Sequence, residues 1–390
     1  MNGNEFDVIR IEDLRAGGGV KWSMFPEAIG TFVAEMDFGV APAIEQALHA
    51  AVSSAQFGYL PPKLATTMNE ATAGWLRESA GWIVPPTSIS PIADVIKALE
   101  VTIEHYSAPG SPVIVPTPAY MPFLSVPPML DREVIQVPLA VVDGRYEFDL
   151  DAIDAALAPN GGLFILCNPY NPVGRVFTRD ELVALSEVID RRGARVFSDE
   201  IHAPLIFSGH QHVSYASISE VAAGHTVTAT SASKAWNIPG LKCAQIILSN
   251  DADLEVWERI GMMASHGASN LGVIANTAAY TSGLQWLDDV VSYLDGNRRL
   301  LGELLAEHLP DVGYTAPEGT YIAWLDWRAY DFGDSAAEFM REHAGVAMTD
   351  GLMCGDAGRG FTRMIFATPR PVLEQAVRQM AEAVQERRAA

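Results

Sequence analysis

The strongest constraint on the fold is an alternation of short apolar runs with segments of helical pattern. A capping box formed by Thr178 and Glu181 predicts a helix that continues to about Arg191. Because strands that alternate with helices form a largely parallel sheet between helices, the sequence predicts an α/β fold. Helical patterns also cover residues 42–56 and 94–105. The predicted strands of this part lie at residues 112–116, 134–138, 163–167, 195–198, 226–230 and 245–248.

A different pattern begins near residue 285. A long helical stretch over residues 284–309 leads into predicted strands at 321–327 and 362–367 and predicted helices at 335–343 and 371–388. This mixture is typical of a smaller α+β region. The sequence therefore predicts three parts. Residues 1–45 form an N-terminal segment that packs on the small domain, residues 46–285 form a large domain, and residues 286–390 form a small C-terminal domain.

Composition restricts the partners of the chain. The 390 residues carry a formal net charge of −22, which would be repelled by the phosphates of nucleic acids and anionic membranes. The three cysteines, Cys167, Cys243 and Cys354, form no Cys-x-x-Cys pair, as expected in a reducing compartment. The start of the chain does not resemble a signal peptide, and no apolar run approaches the roughly 20 residues that span a bilayer. The sequence therefore predicts a cytoplasmic protein with a small-molecule ligand.

Polar motifs follow three of the predicted strands, at the edge where open parallel sheets bind ligands. They are Asn-Pro-Tyr-Asn-Pro-Val-Gly over residues 168–174, Asp-Glu-Ile-His over 199–202 and Ser-Ala-Ser-Lys over 231–234. Taken singly, each motif has an ordinary interpretation: a rigid turn, a helix cap or solvated loop, and an exposed lysine. A lysine among hydroxyls and small residues is also suited to bind phosphate, or to condense with a carbonyl as an amine of lowered pKa.

In order and spacing, the three motifs together resemble fold-type I enzymes that depend on pyridoxal 5'-phosphate (PLP). The resemblance extends from Val33 to Arg370 and implies a mostly parallel seven-stranded sheet in the large domain. Within this group the chain is similar to the cystathionine β-lyase-like C–S lyases of the MalY/PatB type, which are related to class I and II aminotransferases. The group often has a tryptophan where this chain has Phe32, a departure in the wall on the substrate side. Further pointers are Ala-Glu-Met-Asp-Phe at 34–38, Phe-Gly-Tyr at 57–59, Thr-Pro-Ala-Tyr at 117–120 and Ser-Lys-Ala-Trp-Asn at 233–237.

The resemblance implies roles at the ring of the cofactor. Lys234 would form a Schiff base with PLP, and its amine, once freed by substrate, would act as the general base at Cα. Asp199 would keep the pyridine nitrogen protonated, so that the ring withdraws electrons. Asn171 would hydrogen-bond the 3'-oxygen, and the ring of Tyr120 would stack on the cofactor. His202 stands where aminotransferases usually carry a tyrosine, and would either contact the same oxygen or orient its neighbours.

At the phosphate end, a helix that begins near Asp94 and Val95 would supply backbone N–H groups. Ser231 and Lys242 match the hydroxyl and the cation that the family uses there. Tyr59 matches a tyrosine that reaches the phosphate of the neighbouring subunit, which implies a homodimer with shared active sites.

On the substrate side, Arg363 matches the arginine that binds the α-carboxylate of the substrate. A planar guanidinium suits this task because it can donate two parallel hydrogen bonds. Arg370, close by in sequence, is the alternative. Ala34 and Tyr59 are also expected to contact the substrate.

The resemblance implies a PLP-dependent carbon–sulfur β-lyase that cleaves cystathionine or other S-substituted L-cysteines to a thiol, pyruvate and ammonia. The alternative is a class I/II aminotransferase that acts on an amino acid and a 2-oxo acid. Both reactions begin with removal of the Cα proton, so the cofactor residues do not distinguish them. His202 and the overall resemblance favour the lyase.

Functions of other classes have weaker support. The motif over 231–234 also fits the Ser-x-x-Lys of β-lactamases, but the Ser-Asp-Asn and Lys-Thr-Gly motifs that accompany it do not occur. Members of the resembled subgroup can also regulate transcription factors by binding them, although the sequence contains no recognisable interaction surface.

A metal site is the remaining alternative, because three histidines lie close to two acidic residues. Their spacing matches no zinc template, so no metal is predicted. Two of these histidines, His210 and His212, lie in a polar loop and are expected to be solvated.

Overall fold

The fold centres on a seven-stranded sheet. The computed structural model describes residues 4–157, 161–330, 332–333 and 335–389. Neighbouring strands of the sheet are parallel except at Ala244–Leu248, which is antiparallel to both of its neighbours. The mostly parallel seven-stranded sheet between helices is therefore confirmed. In spatial order the strands are Ile89–Ile92, Ala244–Leu248, Thr226–Thr230, Arg195–Asp199, Leu163–Cys167, Val113–Thr117 and Val134–Pro138.

The predicted helices before residue 285 are present, and the Thr178–Glu181 capping box starts Arg179–Arg191 as expected. The sequence did not indicate the 19-residue helix Pro62–Ala80. Its buried face consists of Met68, Thr72 and Leu76, a stripe too narrow to give a clear apolar period. The α-helices of this part are Asn4–Asp7, Ile11–Gly17, Val20–Ser23, Pro42–Ser53, Pro62–Ala80, Val95–His105, Met121–Met129, Leu150–Leu157, Arg179–Arg191, Glu220–His225, Asp251–Ala264 and Asn270–Ser282.

The C-terminal part forms a second, antiparallel sheet whose strands lie in the order Gly313–Tyr314, Ile322–Asp326, Phe361–Ile365 and Thr349–Asp350. A single helix was expected over residues 335–343. Instead, a short α-helix, Ala336–Phe339, continues as a π-helical turn, Met340–Ala344. The two long α-helices of this part are Leu284–His308 and Arg370–Ala389.

The N-terminal segment contacts the C-terminal part. Ile29–Gly30 pairs in parallel with Val346–Ala347, and the backbone N–H of Asp37 donates to the carbonyl of Ala367 at 3.0 Å. The helix Leu284–His308 runs through the predicted boundary at residue 285. The division into domains stays a prediction. A β-hairpin joins Ala140–Val142 to Arg145–Glu147, and short 3-10 helices lie at Pro86–Ser88, Tyr215–Ser217, Pro239–Leu241, Ser265–Gly267, Gly351–Cys354 and Asp356–Gly358.

Three adjacent strands of the large sheet position the polar motifs. Leu163–Cys167, Arg195–Asp199 and Thr226–Thr230 are parallel neighbours, and nearly every residue in them is buried. Their carboxyl ends meet at one edge of the sheet, so the motif that follows each strand lies beside the next. Among the described residues, no helix is both long and apolar enough to cross a membrane.

Candidate active site

A cavity of about 770 Å³ lies at this edge of the large sheet. Its walls come from all three motifs, the N-terminal segment and the C-terminal part. Most of the predicted site residues therefore face one space. Those that line it are Ala34, Asp94, Val95, Tyr120, Asn171, Asp199, His202, Ser231, Lys234, Lys242 and Arg363.

Lys234 lies in the middle of this group. Its Nζ donates a hydrogen bond of 3.0 Å to the backbone carbonyl of Ala34. Burial lowers the pKa of Lys234 to about 8, and the nearby Arg363 cation acts in the same direction. A substantial fraction of the amine is therefore neutral near pH 8, the form that can attack a carbonyl or accept a proton.

Asp199 ends its strand inside the cavity wall. The carboxylate is buried, and its Oδ1 accepts a 3.0 Å hydrogen bond from the backbone N–H of Ile201. Burial raises the pKa of Asp199 to about 7. A cationic group placed beside it would favour the ionised form, because opposite charges lower the pKa of a carboxyl. The site therefore fits the protonated nitrogen of a pyridine ring.

His202 and Asn171 lie on the same wall. His202 is buried, and its Nδ1 has no hydrogen-bond partner among the described residues. Burial lowers the pKa of His202 to about 3, so the ring is neutral at physiological pH. An unpartnered polar atom in a cavity wall indicates room for a polar ligand, which again fits PLP. The position of His202 beside Tyr321, with ring centroids 5.9 Å apart, does not decide between its two expected roles.

Tyr120 stands at the start of the helix Met121–Met129 and lines the cavity. Its ring packs edge-on against Phe123 at a centroid distance of 5.5 Å. Burial raises the pKa of the Tyr120 hydroxyl, which therefore stays protonated. Its predicted stacking on the cofactor remains a prediction.

The predicted phosphate end is arranged around the start of the helix Val95–His105. Asp94 caps this helix by accepting from the backbone N–H of Lys97 at 2.7 Å, and it also pairs with Lys242 at 2.5 Å. Ser231 donates its hydroxyl to the carbonyl of Cys243 at 2.7 Å. The expected cation and hydroxyl are thus close to the helix start, but both have partners within the protein. A phosphate would have to compete with Asp94 for Lys242.

Arg363 is buried in the strand Phe361–Ile365. Its Nη2 donates to the carbonyl of Phe32 at 2.9 Å, and its Nη1 lies 3.4 Å from Oδ1 of Asn171. Its Nε has no hydrogen-bond partner, and no carboxylate forms an ion pair with it, within the part of the chain that the structure describes. A buried guanidinium without a carboxylate partner fits the carboxylate of a bound substrate. Arg370, the alternative, lies outside the cavity, with its guanidinium 4.4 Å from the ring centroid of Tyr293.

Tyr59 does not reach this cavity in the single chain. Its side chain is 89% exposed and borders a separate pocket near His266, with ring centroids 6.1 Å apart. Its predicted contacts with phosphate and substrate therefore require a second subunit.

One expectation about the histidines is wrong. His212 is only 7% exposed, and its Nε2 lies 3.0 Å from Oε2 of Glu200. Glu200 is also buried, and it accepts hydrogen bonds from Ser198 and from the backbone N–H of Tyr215. The sequence suggested a solvated loop because the residues around His212 are polar, but Glu200 supplies a buried partner. No group of potential ligands for a metal ion occurs in the described ranges.

Sequence reasoning also missed the outer wall of the cavity. Glu338 and Arg341 come from the C-terminal part and line the cavity. Tyr321 donates its hydroxyl to the carbonyl of Ala34 at 3.0 Å, beside the bond from Lys234. None of these residues belongs to a recognisable motif, so the sequence offers no local signal for them.

Comparison with known proteins agrees with the motifs and the fold. The family model for aminotransferase class I and II matches residues 33–380. The chain is 38% identical to the cystathionine beta-lyase of Corynebacterium glutamicum, over 95% of this chain and 98% of that protein. A crystal structure of a putative PLP-dependent beta-cystathionase from Corynebacterium diphtheriae superposes with a TM-score of 0.91, at 41% identity over 97% of this chain and 98% of the other. The PLP-bound C–S lyase of Staphylococcus hominis has a TM-score of 0.89, at 28% identity and 97% coverage of both chains. The chain therefore belongs to the aminotransferase class I and II family.

Proposed function

We propose that this chain is a PLP-dependent carbon–sulfur β-lyase that cleaves cystathionine or other S-substituted L-cysteines to a thiol, pyruvate and ammonia. The observation that carries the proposal is the convergence of Lys234, Asp199 and Arg363 in one cavity. The similarity to proteins named cystathionine beta-lyase, over nearly the full length of the chain, favours a lyase over an aminotransferase.

Four residues would hold the ring of the cofactor. Lys234 would bind PLP covalently, and Asp199 would keep a proton on the ring nitrogen through its buried carboxylate. Asn171 and the neutral His202 would face the oxygen substituent of the ring. When bound, PLP supplies an electron-withdrawing ring that stabilises negative charge at the substrate Cα.

The protein side chains account for the remaining steps. Arg363 would bind the α-carboxylate through paired hydrogen bonds and so fix the orientation of Cα toward Lys234. Lys234, with its lowered pKa, would accept the Cα proton as a neutral amine. The resulting ammonium could return that proton to the thiolate as the bond between Cβ and sulfur breaks. Hydrolysis of the remaining three-carbon fragment gives pyruvate and ammonia.

One incubation tests the reaction type. The purified, PLP-loaded protein is mixed with L-cystathionine in the absence of any 2-oxo acid, and pyruvate is measured against the thiol released. Equal amounts of pyruvate and thiol over many turnovers are expected for the lyase. Product that appears only after a 2-oxo acid is added would instead identify an aminotransferase.

The active form is proposed to be a homodimer. Tyr59, Phe57 and Met262 are strongly exposed around one pocket, although large apolar side chains are usually buried. A second copy placed there would bring Tyr59 to the phosphate end of the neighbouring cavity. Sedimentation analysis should give twice the mass of one chain, and Tyr59→Phe should weaken PLP binding by roughly tenfold, the effect of one charge-assisted hydrogen bond.

A cytoplasmic location is also proposed. All three cysteines are free and buried, as expected of a protein in a reducing compartment. Fractionation of cells with an antibody to the chain would test it, and recovery in a membrane or external fraction would contradict it.

A further inference from the structure

The outer part of the active-site cavity contains a charged pair that the cofactor roles do not use. Glu338 and Arg341 both line the cavity, and their charged groups lie 3.7 Å apart. Their side chains are 62% and 37% exposed, so they stand at the mouth, whereas Arg363 is buried deep inside. We call this region the outer chamber, lined by Met24, Phe25, Phe32, Glu338, Arg341 and Met353.

Arg341 lies in an unusual backbone conformation. It belongs to the π-helical turn Met340–Ala344, which directly follows the α-helix Ala336–Phe339 and ends at Gly345 with a φ of 62°. π-helical turns are rare and are found frequently at functional sites, because the extra residue redirects side chains. Here the turn places the guanidinium of Arg341 5.4 Å from the ring centroid of Phe25.

An aromatic wall connects this outer arginine to the inner one. Phe25 packs edge-on against Phe32 with ring centroids 5.3 Å apart. The backbone carbonyl of Phe32 in turn accepts the 2.9 Å hydrogen bond from Arg363. The two guanidinium groups therefore lie at opposite ends of one wall of the cavity. A ligand that extends along this wall from Arg363 would reach Arg341 with its far end.

The present partners of Arg341 leave it available to a ligand. Its guanidinium donates to Glu342 at 3.0 Å, but the side chain of Glu342 is 54% exposed. Exposed ion pairs contribute little to stability, so a ligand carboxylate can replace Glu342 at small cost and bind in a bidentate manner. Glu338 lies beside Arg341 in the cavity wall and offers an anion to an ammonium group.

We propose that Arg341 and Glu338 bind the carboxylate and the ammonium of a second amino-acid group, carried on the thiol half of the substrate. The inference rests on the proposed lyase function and narrows its substrate class. Thioethers with an α-amino acid at each end, such as cystathionine, are preferred over S-alkylcysteines, whose thiol half is uncharged.

A comparison of two substrates tests this specificity. The kcat/KM values for L-cystathionine and S-ethyl-L-cysteine are measured in PLP-loaded wild type, Arg341→Gln and Arg341→Lys. The ratio of the two values is expected to fall ten- to a hundredfold in Arg341→Gln, through KM for cystathionine, and less in Arg341→Lys. Arg378→Gln is the matched control: Arg378 is an exposed arginine outside the cavity that pairs with Glu374 at 3.7 Å. It should leave the ratio at the wild-type value.

Binding without turnover gives an independent measurement. In PLP-loaded Lys234→Ala, which lacks the proposed base, the Kd for cystathionine should rise at least tenfold when Arg341→Gln is added. The Kd for S-ethylcysteine should change less than twofold. An unchanged ratio in Arg341→Gln, or an equal fall for both substrates, would overturn the outer chamber as a binding site. Pyruvate from neither substrate in wild type would instead overturn the lyase function itself.

Discussion

Lys21 and Asp37 form an ion pair of 2.8 Å in which both side chains are almost fully buried. Their other polar atoms also have partners: Lys21 donates to the carbonyl of Glu35, and Trp22 donates to the second oxygen of Asp37. Because the pair ties Asp37, which lies three residues after Ala34, to Lys21 on the other side of Ala34 in the sequence, it fixes the segment that brings the Ala34 carbonyl to the active-site lysine.

Removing one member of this pair should destabilise the protein strongly. Asp37→Asn leaves the Lys21 ammonium buried without a counter-charge, at an expected cost of about 3 kcal/mol in the free energy of unfolding. Urea denaturation measures the loss. Asp13→Asn, in the exposed pair with Arg10, is the control and should cost far less, because exposed ion pairs contribute little.

The double variant Lys21→Met/Asp37→Leu separates charge from packing. Neither buried charge remains, and the acceptor that Trp22 loses costs less than an unpaired charge, so the double variant should lose less stability than Asp37→Asn alone. A double variant that is less stable than Asp37→Asn would show that packing and the lost hydrogen bonds, not the unpaired charge, dominate.

Lys234→Ala should abolish the covalent link to PLP. Borohydride reduction of wild type should fix the cofactor on the peptide that contains Lys234, and mass spectrometry should find no such adduct in the variant. Pyruvate formation should fall by about a thousandfold or more, since both the covalent attachment and the general base are lost. Lys97→Ala, which removes a half-buried pair with Glu100, should retain the adduct and the activity. Cofactor fixed on another lysine would contradict the assignment.

Asp199 should make the stability of the PLP-free protein depend on pH. Burial raises its pKa from 3.8 to about 7, so the folded protein binds the proton more tightly than the unfolded chain. The protonated Asp199 carboxyl therefore stabilises the folded state fully below about pH 4, and this stabilisation is lost as the pH rises through 7. Above pH 7 the loss is on the order of 4 kcal/mol.

Asp199→Asn does not titrate and supplies the comparison. The stability of the PLP-free variant should therefore rise relative to wild type between pH 4 and pH 8, as followed by urea unfolding at each pH. A constant difference across this range would mean that the carboxyl is not desolvated. In the PLP-loaded proteins, wild type should be more stable than Asp199→Asn at high pH. The ring nitrogen then supplies the cation that the Asp199 carboxylate lacks in the PLP-free protein.

Gly174 ends the Asn-Pro-Tyr-Asn-Pro-Val-Gly turn in a conformation that few other residues tolerate. Its φ is 73°, and a Cβ added there would lie 2.3 Å from Cβ of Pro317. Gly174→Ala should therefore cost about 3 kcal/mol, through strain and overpacking together. Gly193→Ala has a similar φ of 59° with open space around it, so it should show the backbone cost alone, about 1 kcal/mol. Equal losses in the two variants would exclude the clash with Pro317.

The parts of the site that the sequence predicted share one physical origin. Parallel strands deliver their carboxyl ends to one edge, so chemistry at that edge appears as polar residues directly after apolar runs. Lys234 and Asp199 could be found in this way. Arg341 and Phe25 could not, because they meet only through tertiary packing of distant segments.

Two other misses have different causes. The helix Pro62–Ala80 buries too narrow a stripe to give a period that can be read from the sequence. His212 looked solvated because its local sequence is polar, and only the position of Glu200 behind the sheet edge explains its burial.

The acceptor that Lys234 and Tyr321 share is a main-chain oxygen, that of Ala34. No point substitution at position 34 can delete that oxygen, so substitutions of Ala34 report only the effect of side-chain size on activity. Loss of activity is expected instead on substitution of the residues that hold this segment in place. One of them is Asn237, which hydrogen-bonds both backbone groups of Met36. Surveys of this enzyme by substitution would therefore overlook a contact to the catalytic amine that every variant retains.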